Sequence, residues 1–335
     1  MTSRYRIFEE DHLSKMKRNW CENNWDLERS IDWQHGIDFN KPLVSLDQHA
    51  FLFPGASKEE RLAISQMMGL LIAASIFEME ESLLRIKNEC FLAPFERYPL
   101  SPEFLELGEQ FFCEEVKHSN AFRRYFNLFC QGLDVEPQDF LAILPKVHHS
   151  KSEAILKFHA KQGGHSFWWI VAIVEQEFLS IYRNLKSNVQ TLDPLYYRLH
   201  QLHFEEEVRH APFPMMMLEF LHATETKPLH FLWKNYDLVA AQVLQGAWTV
   251  ISLNKMKQIK KFMGKSPFFD IIINILPQLE QKNTLKLIYQ LFTQTPYVST
   301  LVNPEGSAKI LKFAKENGKY SLPFPELETN KIVGY

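Results

Sequence analysis

Charged and imidazole side chains on an apolar helix face restrict this chain to folds that can pair them. The octapeptide HFEEEVRH, residues 203–210, is the densest example. At about 100° per residue, His203, Glu207 and His210 lie on one face of a helix, and the residues flanking them on that face are largely apolar. Burying these groups costs several kcal/mol unless they are paired or bind a metal. The pattern therefore predicts a compensating partner inside the protein.

The other polar residues of this segment have different predicted directions. Glu205 points to the far side of the helix and Glu206 to its edge, so both are interpreted as solvent-facing or supporting residues. His200 shares the arc of His203. We expect it to be a core histidine bonded to a helix carbonyl or to a carboxylate, rather than a direct ligand.

A second Glu-x-x-His element lies in FFCEEVKHSNAF, residues 111–122. Glu115 and His118 are three positions apart and share a stripe with several phenylalanines. Glu114 is also within reach of His118, but its polar helical neighbours indicate that its side chain points towards solvent. Glu115 is therefore the preferred candidate of this helix.

Two further apolar runs carry isolated glutamates. The first offers Glu78, Glu80 and Glu81, and the second offers Glu175 and Glu177. The more apolar helical neighbours surround Glu80 and Glu175, which makes these two the preferred candidates, with the others left open.

One Glu from each of two helices, with Glu-x-x-His from each of two others, is the ligand plan of dinuclear carboxylate sites in four-helix bundles. Four carboxylates balance the charge of two divalent ions. Oxygen ligands with a few imidazoles suit iron, with manganese as the alternative, and the absence of a cysteine ligand argues against zinc-thiolate or iron–sulfur sites. The predicted metal ligands are Glu80, Glu115, His118, Glu175, His203, Glu207 and His210.

Helix start signals divide the chain. Ser57 with Glu60 forms a capping box ahead of a helix predicted from about 58 to about 90, and Ser101-Pro102 opens one reaching about 129. A third helix begins near residue 166. Asp193-Pro194 opens the fourth, which should reach about residue 221 with a kink at Pro212 and Pro214.

Strand signals are nearly absent, so the predicted class is all-α, a four-helix bundle with additional N- and C-terminal helices. The predicted organisation is an N-terminal arm over 1–56, the bundle over 57–222 and a helical C-terminal extension and tail over 223–335. We expect these parts to form one compact domain.

Composition excludes several functions. The net charge is −3, and the one basic stretch that stands out, KMKQIKK at 255–261, is short. We therefore expect no nucleic-acid binding. Four cysteines without CxxC pairing and an N-terminus without a secretion signal favour a reduced, cytoplasmic setting. The longest apolar runs, 67–77 and 167–174, are shorter than the ~20 residues of a membrane span.

Together, these motifs resemble the ferritin-like di-iron oxygenases, and more narrowly the p-aminobenzoate N-oxygenase (arylamine N-oxygenase) family. The narrower resemblance rests on His203, a third histidine one turn before the last Glu-x-x-His, and covers roughly residues 58–220. It implies a ferritin-like bundle with two irons that bind O2 as a peroxo species and oxidise an arylamine to hydroxylamine and nitro products. It also implies an external electron donor, either a protein or another reductant, and a small-molecule substrate. His203 and Glu207 are the candidate catalytic residues.

Alternatives remain open from sequence alone. The same scaffold supports di-iron hydroxylation, desaturation or oxidative cleavage of a lipid-like or other small substrate. A non-catalytic iron-binding protein and a metal-free helical interaction protein are the remaining interpretations. The natural substrate, the reductant and the oligomeric state are not indicated, and a homodimer is one option.

Overall fold

Helices carry most of the backbone in the computed structural model of the protein. The structure describes residues 6–7, 9–98, 101–144, 150–283, 286–287, 290–291, 294–295 and 312. Over these residues it contains no strand, which confirms the predicted all-α class. Apart from residue 312, the predicted tail beyond residue 295 lies outside the described residues.

Twelve α-helices occur in the part of the chain that the structure describes. In chain order the α-helices are α1 (Glu10–Glu22), α2 (Lys58–Lys87), α3 (Ala93–Arg97), α4 (Pro102–Gly132), α5 (Pro137–Ile143), α6 (Ser150–Lys161), α7 (Ser166–Lys186), α8 (Pro194–His210), α9 (Phe213–Thr224), α10 (His230–Met256), α11 (Pro267–Ile275) and α12 (Pro277–Glu280). A π-helical turn joins α2 to α3, and short 3-10 turns occupy 33–35 and 257–262. The central bundle consists of α2, α4, α7 and α8.

The predicted starts of three bundle helices are confirmed. Ser57 accepts a hydrogen bond from the backbone of Glu60, whose side chain accepts one from the Ser57 backbone. Ser101 caps α4 and Asp193 caps α8, each by accepting a backbone N–H three residues on. These side chains satisfy N–H groups that a helix otherwise leaves without partners.

The prediction of one kinked fourth helix is wrong, because the chain forms two helices there. α8 ends at His210, and α9 begins at Phe213. Pro212 has no N–H to donate to the preceding turn and its ring clashes with that turn, so the hydrogen-bond ladder is broken there, although Ala211 and Pro212 keep α-helical φ and ψ angles. As a result, the last Glu-x-x-His lies at the C-terminal end of α8.

Two hydrophobic cores share the bundle. One contains Phe77 of α2 and Phe122 of α4 together with N-terminal and α11 residues, and the other contains Phe112 of α4 and Phe213 of α9. Along each bundle helix, the boundary between the cores falls where the predicted ligands occur. The predicted metal site is therefore a polar layer between two apolar cores.

Further helices cover the bundle. α1 packs on α4, α10 packs on α7, and α11 packs on α2. The predicted domain boundaries remain a prediction.

The apolar helical stretch around α2 is longer than the apolar runs identified in the sequence. Among the described residues, one helical stretch, Lys58–Arg97, is long and apolar enough to cross a membrane by length and composition. Within its most apolar window, however, 72% of the residues are buried against other parts of the protein. Core helices of folded domains have this character.

Candidate metal centre

All seven predicted ligand residues lie in the polar layer between the two cores. α2 contributes one, α4 two, α7 one and α8 three, and each is at most 2% exposed. The residues are Glu80, Glu115, His118, Glu175, His203, Glu207 and His210.

Six of these residues form two overlapping groups. In each group, one possible ligand atom per residue lies within 4.8 Å of every other. Both groups contain His118 and Glu207. Glu80 and His203 complete one group, while Glu115 and His210 complete the other, an arrangement suited to two metal ions that share ligands. The groups are Glu80, His118, His203 and Glu207, and Glu115, His118, Glu207 and His210.

Glu175 joins the cluster through its neighbour. Its carboxyl group is 1% exposed, and besides this burial the nearby Glu207 and Glu115 carboxylates help to raise its pKa. The alternative candidate of the same helix, Glu177, instead lines an apolar cavity. On α2, Glu81 forms an ion pair with Arg123, away from both groups.

The buried carboxyl groups of the cluster favour the binding of cations. Burial, followed by the neighbouring carboxylates, raises the pKa of Glu80 and Glu175 well above the ordinary value. Burial raises the pKa of Glu207 to about 7. Burial also lowers the pKa of His203 to about 3, so this imidazole is neutral with a free electron pair. Without a cation, these carboxyl groups therefore tend to keep their protons, and a bound metal ion would replace those protons.

Short contacts without hydrogen bonds support the same conclusion. The Nδ1 atom of His210 lies 2.9 Å from Glu115 Oε1, and that of His118 lies 3.1 Å from Glu207 Oε1. Neither nitrogen has a hydrogen-bond partner, and both oxygens of Glu115 also lack one. Buried oxygen and nitrogen atoms that face one another in this way fit a pair of cations, which would accept their lone pairs.

Two additional glutamates hold the far sides of the ligand imidazoles. Glu206 of α8 lies 2.6 Å from His118 Nε2, and Glu114 of α4 lies 2.7 Å from His210 Nε2. Each carboxylate thus contacts the histidine of the opposite helix. Because a carboxylate accepts, both Nε2 atoms carry protons, and since burial lowers the pKa of His118 well below its ordinary value, its Nδ1 presents a lone pair to the cluster. Burial acts in the same direction on His210, but Glu207, Glu114 and Glu115 raise its pKa well above the ordinary value, so its Nδ1 is protonated until a metal ion replaces that proton.

Cations accompany these outer carboxylates. Lys117 Nζ lies 2.7 Å from Glu206, and Arg209 lies 3.6 Å from Glu114. The expectation that Glu114 faces a wetter direction is wrong, since it is 1% exposed. The sequence does contain a signal for this arrangement, because EEVKH at 114–118 and EEVRH at 206–210 repeat the same order of residue types.

Aromatic rings close the site. Trp25 stacks on His118 with ring centroids 6.0 Å apart, and Trp20 lies 5.3 Å from His210. Both tryptophans come from the N-terminal arm, which therefore excludes water from one side of the cluster. His200 packs against Phe122 outside both ligand groups, and its Nε2 atom has no partner.

A large apolar cavity adjoins the cluster. It has a volume of about 450 Å³ and is lined mainly by α2, α7, α10 and α11. Phe178 lines this cavity, and its ring also lies 5.1 Å from that of His203. Burial raises the pKa of Glu177, a carboxyl group in the cavity wall, to about 8. Phe178 is thus the partition between the cavity and the candidate metal centre.

A helical bundle with carboxylates and imidazoles buried at one level of its four central helices defines the class of dinuclear carboxylate proteins. The model of one family of this class, described as p-aminobenzoate N-oxygenase AurF, matches residues 8–248. The chain therefore belongs to the AurF family of di-iron N-oxygenases and is an oxidoreductase. The match extends beyond the motif-bearing segment to α1 and most of α10. A search of curated proteins gave no match.

Proposed function

We propose that this protein binds two iron ions through the seven clustered residues and uses O2 to oxidise the nitrogen of a small arylamine. The observation that carries the proposal is the third imidazole, His203, in one group with Glu80 and Glu207. Family membership supports the di-iron and N-oxygenase parts. Iron is preferred over manganese because the oxygen-rich ligand set stabilises the trivalent state.

The side chains of the protein position the metal ligands and determine which of them carry protons. When bound, the irons supply the activation of O2. His203 provides a neutral donor whose Nε2 lies 2.7 Å from Glu207 and 3.2 Å from Glu80. Phe122 and Phe178 pack on its ring and restrict its orientation. We assign Glu207 a central role because both ligand groups contain it, and His203 because it adds a third imidazole to one of them.

The proposed reaction requires an electron source. Conversion of R–NH2 to R–NHOH consumes one O2, two electrons and two protons, and it releases one water. One oxygen atom forms the new N–O bond, and the other is reduced to water. The two electrons come from an external donor, and further rounds lead towards the nitro product.

The cavity beyond Phe178 is the proposed binding place for the body of the substrate. Its walls are predominantly apolar, which favours an aromatic or aliphatic body over a highly charged one. Glu177 places one carboxyl group in that wall. A substrate bound there would approach the cluster past Phe178.

Iron counting and amine turnover test the proposal. The anaerobically reconstituted protein should hold two irons per chain and, with reductant and O2, convert a member of an arylamine panel to its hydroxylamine, detected by mass spectrometry. His203→Ala should lose this turnover. His200→Ala is the matched control, since His200 is buried one turn earlier outside both groups. Full iron content with full turnover in His203→Ala would contradict the assigned role.

The size of the cavity favours one second candidate, oxidation at carbon in a long apolar substrate. At about 450 Å³ the space exceeds the needs of a single aromatic ring. Fatty acids and fatty amines should therefore be assayed beside arylamines under the same conditions. Hydroxylated or desaturated products without any N-oxidised product would favour this second function.

A further inference from the structure

The carboxyl group of Glu177 differs from the rest of the cavity wall. The wall is mainly apolar, and the side chain of Glu177 lines it. The Oε1 atom of this residue is buried and has no hydrogen-bond partner. A buried oxygen of this kind costs free energy unless another molecule supplies the missing donor. A substrate in the cavity can therefore gain a hydrogen bond at this position.

The other charged side chains of the wall have partners or are exposed to solvent. Two carboxylates are paired with lysines, at 2.9 Å for Glu153 and 3.3 Å for Glu280. Lys282 donates to two backbone carbonyls, at 2.7 and 3.1 Å. Arg85 and Lys257 are exposed, so solvent hydrates their charges. Among the described residues, none of these groups donates a hydrogen bond to the buried carboxyl oxygen.

Glu177 lies at one edge of the face that α7 presents to the cavity. At about 100° per residue, with Glu175 at zero, Phe178 lies at about −60° and Glu177 at about −160° around the helix. Val174 and Ile181 also line the cavity, and they fall between these two positions at about −100° and −120°. Phe178 is thus the edge next to the metal cluster, and Glu177 is the opposite edge.

The cavity therefore offers a substrate two polar ends and an apolar middle. At the Phe178 edge, a reactive amine points towards His203, whose ring lies 5.1 Å from that of Phe178. At the opposite edge, the Oε1 atom of Glu177 can accept a hydrogen bond. The apolar wall between them suits the face of an aromatic ring. A substrate that matches all three parts carries a donor group on the side of its ring opposite the reactive amine.

We propose that Glu177 determines substrate specificity by selecting arylamines with a second, basic nitrogen opposite the reactive amine, an inference that rests on the proposed function. An ammonium group at this end of the cavity donates a hydrogen bond to Oε1 and matches the charge of the carboxylate. A carboxylate substituent has no hydrogen to donate and faces a group of like charge, so aminobenzoates should be poor ligands. The expected substrate class thus differs from p-aminobenzoate, the acid in the description of the family.

Equilibrium binding to the iron-loaded full chain without O2 tests this selection separately from turnover. The probes p-aminobenzylamine, p-toluidine and p-aminobenzoate share one ring and carry a cationic, a neutral and an anionic substituent. By calorimetry, p-aminobenzylamine should bind at least about tenfold more tightly than p-toluidine, with p-aminobenzoate the weakest. Binding without this preference, or no binding of any probe, would overturn the proposal. If p-aminobenzylamine binds as expected but is not oxidised with reductant and O2, the proposed function fails and the binding preference remains.

Variants locate the selecting group. Glu177→Gln keeps the size of the side chain and removes its charge, so affinity for p-aminobenzylamine should fall by at least about tenfold while that for p-toluidine stays nearly unchanged. Glu153→Gln is the matched control, because Glu153 lines the same cavity but is paired with Lys157, and it should keep the preference for the cation. Equal losses for both probes in Glu177→Gln, or no loss for either, would overturn the assignment. If Glu177→Gln fails to fold, the order of the three probes in the wild type decides.

Discussion

The two buried histidine groups differ in their charge. In the central cluster, three imidazoles lie among four carboxylates, and two outer carboxylates, Glu114 and Glu206, bind the far sides of the rings. A second group of buried histidines, His165, His222 and His230 at one end of the bundle, is called the end group here; next to it, Asp237 accepts hydrogen bonds from the His165 backbone N–H and from the Ser166 hydroxyl. The central cluster therefore combines carboxylates with imidazoles, a ligand set that suits cations, whereas the ring contacts described for the end group are between imidazoles.

The largest expected effect is a loss of iron binding when a residue of the central cluster, but not one of the end group, is substituted. Glu207→Ala removes the carboxylate that both central ligand groups share, so iron binding and turnover should fall to background. His230→Ala changes only the end group and should leave two irons and full turnover. Elemental analysis and product formation measured on both variants check this contrast. Equal loss of iron in the two variants would show that the groups are not independent.

A smaller effect is expected from the outer carboxylates. Glu206→Gln keeps the shape but weakens the charged contact with His118 Nε2, so iron affinity should decrease by about 10–100-fold. Glu205→Gln is the control at the adjacent position, since Glu205 is exposed and bonds to Gln201. Iron-binding titrations compare the two variants. Equal affinities would remove Glu206 from the positioning role.

The charge difference also predicts a pH dependence of stability. Burial raises the pKa of Glu207 from 4.5 to about 7, so its contribution is present at low pH and is lost as pH rises through 7. Burial lowers the pKa of His203 from 6.5 to about 3, and this opposing effect is complete above pH 6.5. In the iron-free protein, Glu207 should therefore lower stability by up to about 1.4 kcal/mol per pH unit between about pH 4.5 and 7, and His203 offsets this loss up to about pH 6.5. Glu80 and Glu175, whose pKa burial also raises, add to the loss, so stability should fall overall as pH rises above 4.5.

Denaturant unfolding of the iron-free and iron-loaded protein measures this dependence. The loaded protein should show a much flatter profile, because bound cations keep the carboxylates ionised at all of these pH values. An identical slope in the two forms would place the titrating groups outside the cluster.

The smallest expected effect concerns Glu177, the carboxyl group of the cavity wall. Burial raises its pKa from 4.5 to about 8, so its contribution to stability is lost as pH rises through 8. Glu177→Gln should remove this loss and raise the Tm by several degrees at pH 9, with little change at pH 5. Thermal unfolding of this variant beside Glu205→Gln measures the difference. An increase in Tm that does not grow with pH would contradict the conclusion that the Glu177 carboxyl group is buried with a raised pKa.

Sequence periodicity predicted the features that depend on one helix at a time. The caps at Ser57, Ser101 and Asp193 start helices where expected, and Glu80 and Glu175 face the cluster as preferred. The role of those glutamates as metal ligands stays a prediction. Angular sorting works here because a carboxylate inside an apolar stripe is visible from its own helix.

Features that depend on two packed helices were missed. Glu114 has polar neighbours in its own helix, yet the packing of α8 buries it against His210. The division between α8 and α9 could not be predicted, because the sequence does not show how far Pro212 disrupts the helix. The end group was also invisible, because His165, His222 and His230 lie at separate helix ends where periodicity carries no information.

The polar layer between the two apolar cores has a consequence for how the protein unfolds. Each core packs on its own set of side chains, and several carboxyl oxygens and ring nitrogens in the layer between them lack hydrogen-bond partners when no cation is bound. The two halves are thus weakly coupled in the iron-free protein and strongly coupled once ions bridge the layer. Amide hydrogen exchange should then show two separate opening events without iron and a single concerted one with it.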